Sequence, residues 1–272
     1  MGDAGAGDPL RLRVIAHGSG PPLVLLHGFT GSAETWAPLG EALGGRFATL
    51  AVDLPGHGSS AAPDDPRRYA LGSLAGELAG LLDGLRIDQA AVLGYSLGAR
   101  AALRFALDRP GRVAALVLES GSPGIVDAAE RAARRAADEA LADAIERDGI
   151  VAFVDEWERL PLWASQAVLP AATRALLRAQ RLANQPRGLA NSLRGSGAGV
   201  EDPVVERLAM LDVPTLLVAG ALDAKYVALG QLMERSMPRA RLSIVANSGH
   251  AVHLEQPDAF AALVAEFLDA VR

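Results

Sequence analysis

The sequence predicts an α/β fold: a mostly parallel central sheet, helices on both faces, and a helical insertion before the last strands. Three observations predict it. Short apolar runs rich in β-formers recur along the chain, each closed by glycine, proline or a turn. Helical stretches separate them. The alternation then stops between about residues 122 and 200, where no strand-like run occurs. Strands buried on both faces of a parallel sheet read as continuous apolar segments, and their alternation with helices argues for parallel pairing.

Taken in order, a pair of short strands near 10–17 is expected to form an antiparallel edge. The buried strands follow as "LVLLHG" (23–28), "ATLAVD" (48–53), "AAVLGYS" (90–96), "AALVLES" (114–120), "PTLLVAG" (214–220) and "RLSIVANSG" (241–249). Helical patterns fall at roughly 35–43, 70–84, 97–108, 224–236 and 257–271. The insertion reads as several helices, clearest over 127–148, which would cap the ends of the strands. "SSAAPDDPRR" (59–68) reads as a surface loop and "RGSGAGVEDP" (194–203) as the hinge out of the cap. The expected organisation is therefore a core of residues 1–121 and 201–272 with a cap of residues 122–200.

Composition narrows the function classes. With 272 residues, half of them apolar, the chain suits one large core. No apolar run is long enough to cross a bilayer. The N-terminal "MGDAGAGDPLRLRV" lacks the basic and apolar regions of a signal peptide, and Ala6 breaks the myristoylation pattern. There is no cysteine, which excludes disulfides, thiolate nucleophiles and Cys-based metal sites. A formal charge of −6 argues against a nucleic-acid partner. The expectation is a cytoplasmic protein, monomeric or a small homo-oligomer, with a small-molecule partner and no membrane association. Lys225 is the only lysine. The bland explanation of the arginine usage and the many alanines is genomic base composition, but a guanidinium still grips carboxylates as an ammonium does not.

"GYSLG" (94–98) joins an apolar strand to an alanine-rich helix. Gly-x-Ser-x-Gly in that context is a nucleophile elbow, a turn so sharp that glycines must flank the serine. Ser96 then needs an acid and a histidine, in that chain order. Asp223 lies just past one strand and His250 just past the next, on the same rim as Ser96. Asp223 also suits a helix N-cap, and Asp212 flanks the same strand at the wrong end. Among the other histidines, His27 and His57 suit loop-shaping hydrogen bonds. His253, three residues after His250, lacks a third ligand, so no metal is expected. The main-chain N–H groups of Phe29, in "LHGFTGS", and Leu97 are candidates for an oxyanion hole. No dinucleotide fingerprint or P-loop occurs, and no cofactor is expected.

With these pieces in place, the chain resembles the α/β-hydrolase superfamily over nearly its whole length. Within it, the chain is similar to the 2-succinyl-6-hydroxy-2,4-cyclohexadiene-1-carboxylate synthases of menaquinone biosynthesis. "LHGFTGSAETW", "VDLPGHGSS" and "GALDAKY" with "NSGHAVH" carry the wider likeness. Tyr95–Ser96 with Arg100, "ESGSPGI" leading into "AERAARR", and Lys225 behind Asp223 carry the narrower one; Ala99 stands where that family often has glycine. The resemblance implies a lyase that eliminates pyruvate from 2-succinyl-5-enolpyruvyl-6-hydroxy-3-cyclohexene-1-carboxylate. Ser96, polarised by His250 and Asp223, would abstract a ring proton, and the oxyanion hole would hold the enolate. It further implies substrate contacts from Tyr95, Arg100, Arg134, Trp157, Arg181 and Lys225.

The residues alone speak to part of this. The insertion holds ten arginines against ten acids, so its net charge decides nothing. Arg134, however, shares a helical stripe with Leu141 and Ile145, so it either snorkels outward or faces a polar cavity. Arg100 either pairs with an acidic neighbour or serves an anionic substrate. Tyr95 and Trp157 suit packing as well as a pocket. Two alternatives stand beside the lyase: a carboxylesterase or C–C bond hydrolase using the same triad through an acyl-enzyme, and a binding module that kept only the fold.

Overall fold

The structure is a computed structural model that describes residues 8–272. The reading of the N-terminal segment falls largely on residues 1–7, outside the described residues. The strands are Val14–His17 (β1), Pro22–Leu26 (β2), Ala48–Val52 (β3), Ala90–Tyr95 (β4), Val113–Glu119 (β5), Thr215–Gly220 (β6) and Ala240–Val245 (β7). They form one sheet in the order β1-β3-β2-β4-β5-β6-β7. β1 runs antiparallel to β3 and every other pairing is parallel. The N-terminal edge is thus one strand among the described residues, where the sequence suggests two. β7 stops at Val245, because residues 246–251 turn away to form the His250 loop.

Helices cover both faces: Ala37–Leu43 (α1), Leu71–Gly84 (α2), Leu97–Asp108 (α3), then Ala128–Trp157 (α4), Ala171–Leu182 (α5) and Pro186–Ser196 (α6), and finally Ala224–Ser236 (α7), Val252–Glu255 (α8) and Pro257–Ala270 (α9). Side-chain alternation divides the core. Val24, Leu26, Val92, Leu116 and Leu118 pack under α2, α3 and α7, while Leu23, Leu25, Leu93, Ala115 and Val117 pack under α1 and α9. Burial on both faces explains the unbroken apolar runs.

Parallel register brings the strand ends level. Tyr95 pairs with Glu119, Glu119 with Val218, and Gly220 with Val245. Ser96, Ser120, Asp223 and His250 therefore leave the sheet along one carboxyl edge, where open α/β sheets bind ligands.

The helices between β5 and β6 build their own small core, with Ala142, Ile145, Phe153 and Val154 of α4 against Leu189, Ala190 and Leu193 of α6. The helix expected over 127–148 runs on to Trp157, but Gly149 interrupts it with φ +82°. α6 reaches Ser196, shortening the expected hinge. It lies close on the loops after β3, because a Cβ on Gly188 would meet the Gly56 carbonyl at 2.3 Å and one on Gly195 the Pro66 carbonyl at 2.1 Å.

Candidate active site

The turn from β4 into α3 explains the glycine spacing. A Cβ on Gly94 would fall 2.1 Å from the Gly98 carbonyl, and one on Gly98 would fall 2.1 Å from that of Leu26. Ser96 itself is held at φ +52°, ψ −107°, a costly conformation for a residue with a side chain. The Glu119 carbonyl accepts its N–H at 2.9 Å. The result lifts the Ser96 hydroxyl over the N-terminus of α3.

His250 Nε2 lies 3.0 Å from Ser96 Oγ, and its Nδ1 lies 2.8 Å from Asp223 Oδ2. Asp223 divides its oxygens: Oδ2 faces the imidazole while Oδ1 caps α7 by accepting the Tyr226 N–H at 3.3 Å. The N-cap and the acid of the set are thus one residue. Ser120, at φ +48°, donates its hydroxyl to the His250 carbonyl at 2.8 Å and fixes that loop from below. A carboxylate on Nδ1 makes Nε2 the basic nitrogen facing the serine, so the arrangement can pull a proton through Oγ.

The N–H groups of Phe29 and Leu97 have no protein acceptor among the described residues. His27 and His57 shape the loop that carries Phe29. His27 donates from Nδ1 to the Gly28 carbonyl at 2.8 Å and accepts the Leu54 N–H on Nε2 at 3.0 Å. His57 faces the Pro55 carbonyl at 3.0 Å, and its ring lies 5.0 Å from that of His27, tilted by 59°. Burial pulls His27 down to about 4 and His57 to about 3, so both are neutral near pH 7.

A cavity of about 400 Å³ opens above Ser96. Phe29, Tyr95, Leu97, Arg100, Arg134, Trp157 and Lys225 line it, with Ser96 and His250 in its floor. Arg100 has no carboxylate partner among the described residues; it donates to the Ser196 carbonyl, and burial lowers its pKa. Arg134 lies half-exposed, with Nε 2.8 Å from Asp138 Oδ1. Asp138 is buried and leaves its Oδ2 unpartnered. Tyr95 is buried between His250 and His253, and burial raises its phenol well above the usual range. Trp157 packs on Phe29, Phe153 and Trp163.

Arg181 is not brought to this cavity. It lines a smaller adjoining space of about 40 Å³, 5.5 Å over the Trp163 ring, with Nη1 2.9 Å from Glu158. The cause is nonlocal: α5 folds back on the end of α4, and Glu158 takes the charge. Trp163, Tyr226 and Asp138 also line the large cavity, beyond the residues that the sequence singles out. Tyr226 had a usable signal, three residues after the acid on the first turn of a helix; Trp163 lies in a 3₁₀ stretch with no periodic pattern. His253 is held by Glu119, and no cluster of three or more candidate metal ligands occurs among the described residues. No helix among them is long and apolar enough to cross a membrane.

Comparison with known proteins places this geometry in context. Residues 23–263 match the model of the alpha/beta hydrolase family. A Bacillus subtilis (strain 168) protein, provisionally named 2-succinyl-6-hydroxy-2,4-cyclohexadiene-1-carboxylate synthase, is 42% identical over 92% of this chain and 90% of its own. The Klebsiella pneumoniae (strain ATCC 700721 / MGH 78578) protein of the same name is 34% identical over 91% of this chain and 94% of its own. The solved structure of MenH from S. aureus superposes with a TM-score of 0.91 at 32% identity, covering 96% of this chain and 98% of that one.

Proposed function

The chain belongs to the alpha/beta hydrolase family, and on that premise we propose that it is a lyase of menaquinone biosynthesis. It eliminates pyruvate from 2-succinyl-5-enolpyruvyl-6-hydroxy-3-cyclohexene-1-carboxylate, as the names of its relatives suggest. One observation carries the reading: Arg100, without a carboxylate partner among the described residues, stands in the same cavity as Ser96 and His250. An enclosed cation lacking an anion is costly, and an anionic substrate relieves that cost. Arg134 and Lys225 add two further positive charges along the wall.

In this reading Ser96 is a base. Its Oγ takes the ring proton next to the succinyl ketone while its own proton passes to His250 Nε2, 3.0 Å away. Asp223 stabilises the imidazolium from Nδ1. The enolate charge falls toward the Phe29 and Leu97 amides. The C–O bond to the enolpyruvyl group then breaks, its electron pair leaves on oxygen, and the proton held by His250 is free to complete pyruvate. The ring keeps the new double bond as a conjugated diene, and no acyl-enzyme forms. The reading carries with it a cytoplasmic location and a helical cap, residues 122–200, that adds Arg134 to the core's Arg100 and Lys225.

The test is pyruvate release measured beside diene formation on enzymatically made substrate, with a no-enzyme control for spontaneous decay. The expected result is fast release that is lost in Ser96→Ala, with feeble turnover of p-nitrophenyl acetate. Rapid ester cleavage with pyruvate release no faster than the control would make the protein a hydrolase instead.

A further inference from the structure

Tyr226 takes no part in the steps above. It sits on the first turn of α7 and touches the reacting residues twice. Its N–H caps onto Asp223, and its ring lies 4.5 Å from the His250 ring, tilted by 59°. Its side chain lines the large cavity, and its hydroxyl has no protein partner among the described residues. Arg100 enters the same cavity from α3 and has spent a hydrogen bond only on the Ser196 carbonyl.

The two groups also sense each other. Burial aside, the largest influence on the ionisation of Tyr226 is Arg100, and the largest on Arg100 is Tyr226. Burial outweighs the cation and raises the phenol's pKa, so the hydroxyl keeps its proton near pH 7 and acts as a donor. A neutral donor and a charged donor, each short of an acceptor, therefore share one region between two walls. A carboxylate offers two acceptor oxygens and no hydrogen, and it satisfies both donors at once. An amide or ester at that place leaves one of them poorly matched.

We propose that Arg100 and Tyr226 form a two-donor clamp for one carboxylate of the substrate, the hydroxyl bonding one oxygen and the guanidinium the other. The clamp rests on the reading of the cavity as a polycarboxylate site, and its test separates the two. Tyr226→Phe keeps the ring on His250 and removes only the hydroxyl. The probe is tricarballylate, a three-carboxylate compound that cannot react, titrated against the fluorescence of Trp157 and Trp163 in the cavity wall.

Tyr226→Phe is expected to weaken tricarballylate binding about tenfold, the effect of losing one hydrogen bond to a charged group. In an Arg100→Met background the same change should cost under about twofold, because the shared oxygen pair is no longer gripped. With substrate, KM for pyruvate release should rise about tenfold at little changed kcat. Unchanged tricarballylate affinity overturns the clamp, as does an equal loss in both backgrounds. A fall in kcat alone also overturns it, assigning the hydroxyl to His250 instead. If the wild type binds tricarballylate with the expected coupling but releases no pyruvate, the clamp stands and the lyase reading falls.

Discussion

Glu119 and His253 form an enclosed pair beneath the reacting residues. Both carboxylate oxygens approach His253 Nδ1, at 2.9 and 2.8 Å, and Oε1 also accepts the His253 N–H at 3.0 Å. The Glu119 carbonyl takes the Ser96 N–H, and neighbouring Ser120 holds the His250 carbonyl. Two consecutive residues at the end of β5 thus tie down the backbone of both Ser96 and His250. The Tyr95 ring lies between the two histidines, 4.7 Å from His253 and 5.4 Å from His250.

Removing one partner from such a buried pair strands the other. Glu119→Ala is expected to cost about 3–5 kcal/mol of stability, and Glu119→Gln, which keeps an acceptor, about 1–2 kcal/mol. Urea denaturation of the three proteins measures both. An alanine variant within about 1 kcal/mol of wild type would show that the loop is held by other contacts.

Two glycine substitutions should act in opposite directions. Gly98→Ala drives a methyl group into the Leu26 carbonyl at the elbow, where only backbone can give way. It should cost several kcal/mol, about 3 or more, or yield no soluble protein. Gly80→Ala on α2 meets nothing within 4 Å and should stabilise by about 0.5–1 kcal/mol through helix propensity. Thermal melting separates them, and equal effects would contradict the packing at the elbow.

His27 and His57 make stability depend on acid. Both have lowered values in the folded chain, about 4 and about 3, so below pH 6.5 the unfolded chain binds protons that the folded chain refuses. Stability is therefore full above pH 6.5 and falls as pH drops, by about 1.4 kcal/mol per unit for each histidine. The loss levels off only when each ring charges, near pH 4 and pH 3. Urea midpoints at pH 7, 6 and 5 should decline accordingly, and His57→Gln should roughly halve the slope. A flat profile from pH 7 to 5 would mean that neither ring stays neutral by burial.

Arg134 holds Asp138 as well as facing the cavity, so its loss should be felt twice. Arg134→Ala is expected to raise KM for pyruvate release about tenfold or more. It should also lower stability by about 1–3 kcal/mol, because Asp138 Oδ1 then loses its partner as well, beside an Oδ2 that has none. Asp138→Asn in the Arg134→Ala background should recover the stability and not the KM. Recovery of both would make the arginine a purely structural partner of Asp138.

The parts that were legible in the sequence are those whose signal is local. β2, β4, β5 and β6 are buried on both faces, so each shows as an unbroken apolar run bounded by turns. The elbow is legible because no other residue fits at Gly94 and Gly98, and Asp223 and His250 follow from lying just past consecutive strands. The cavity walls are less so. Arg181 shares its amphipathic pattern with any surface helix, and only the fold shows that Glu158, from the end of another helix, has claimed it. Asp138 and Trp163 give no hint, since a carboxylate one turn from an arginine is common on solvent-facing helices and a tryptophan in a 3₁₀ stretch has no period to read.

Gly149 divides α4 into two arms, and a hinge-like residue in open space does not transmit force as a continuous helix does. The first arm carries Arg134 and Asp138; the second carries Trp157, with Phe153 packed against it. Each arm is thus a separate panel of the same chamber. The arms meet through Gly149 and the small core they share on α6, so the chamber's charge and its aromatic wall are set on separate stretches of one helix.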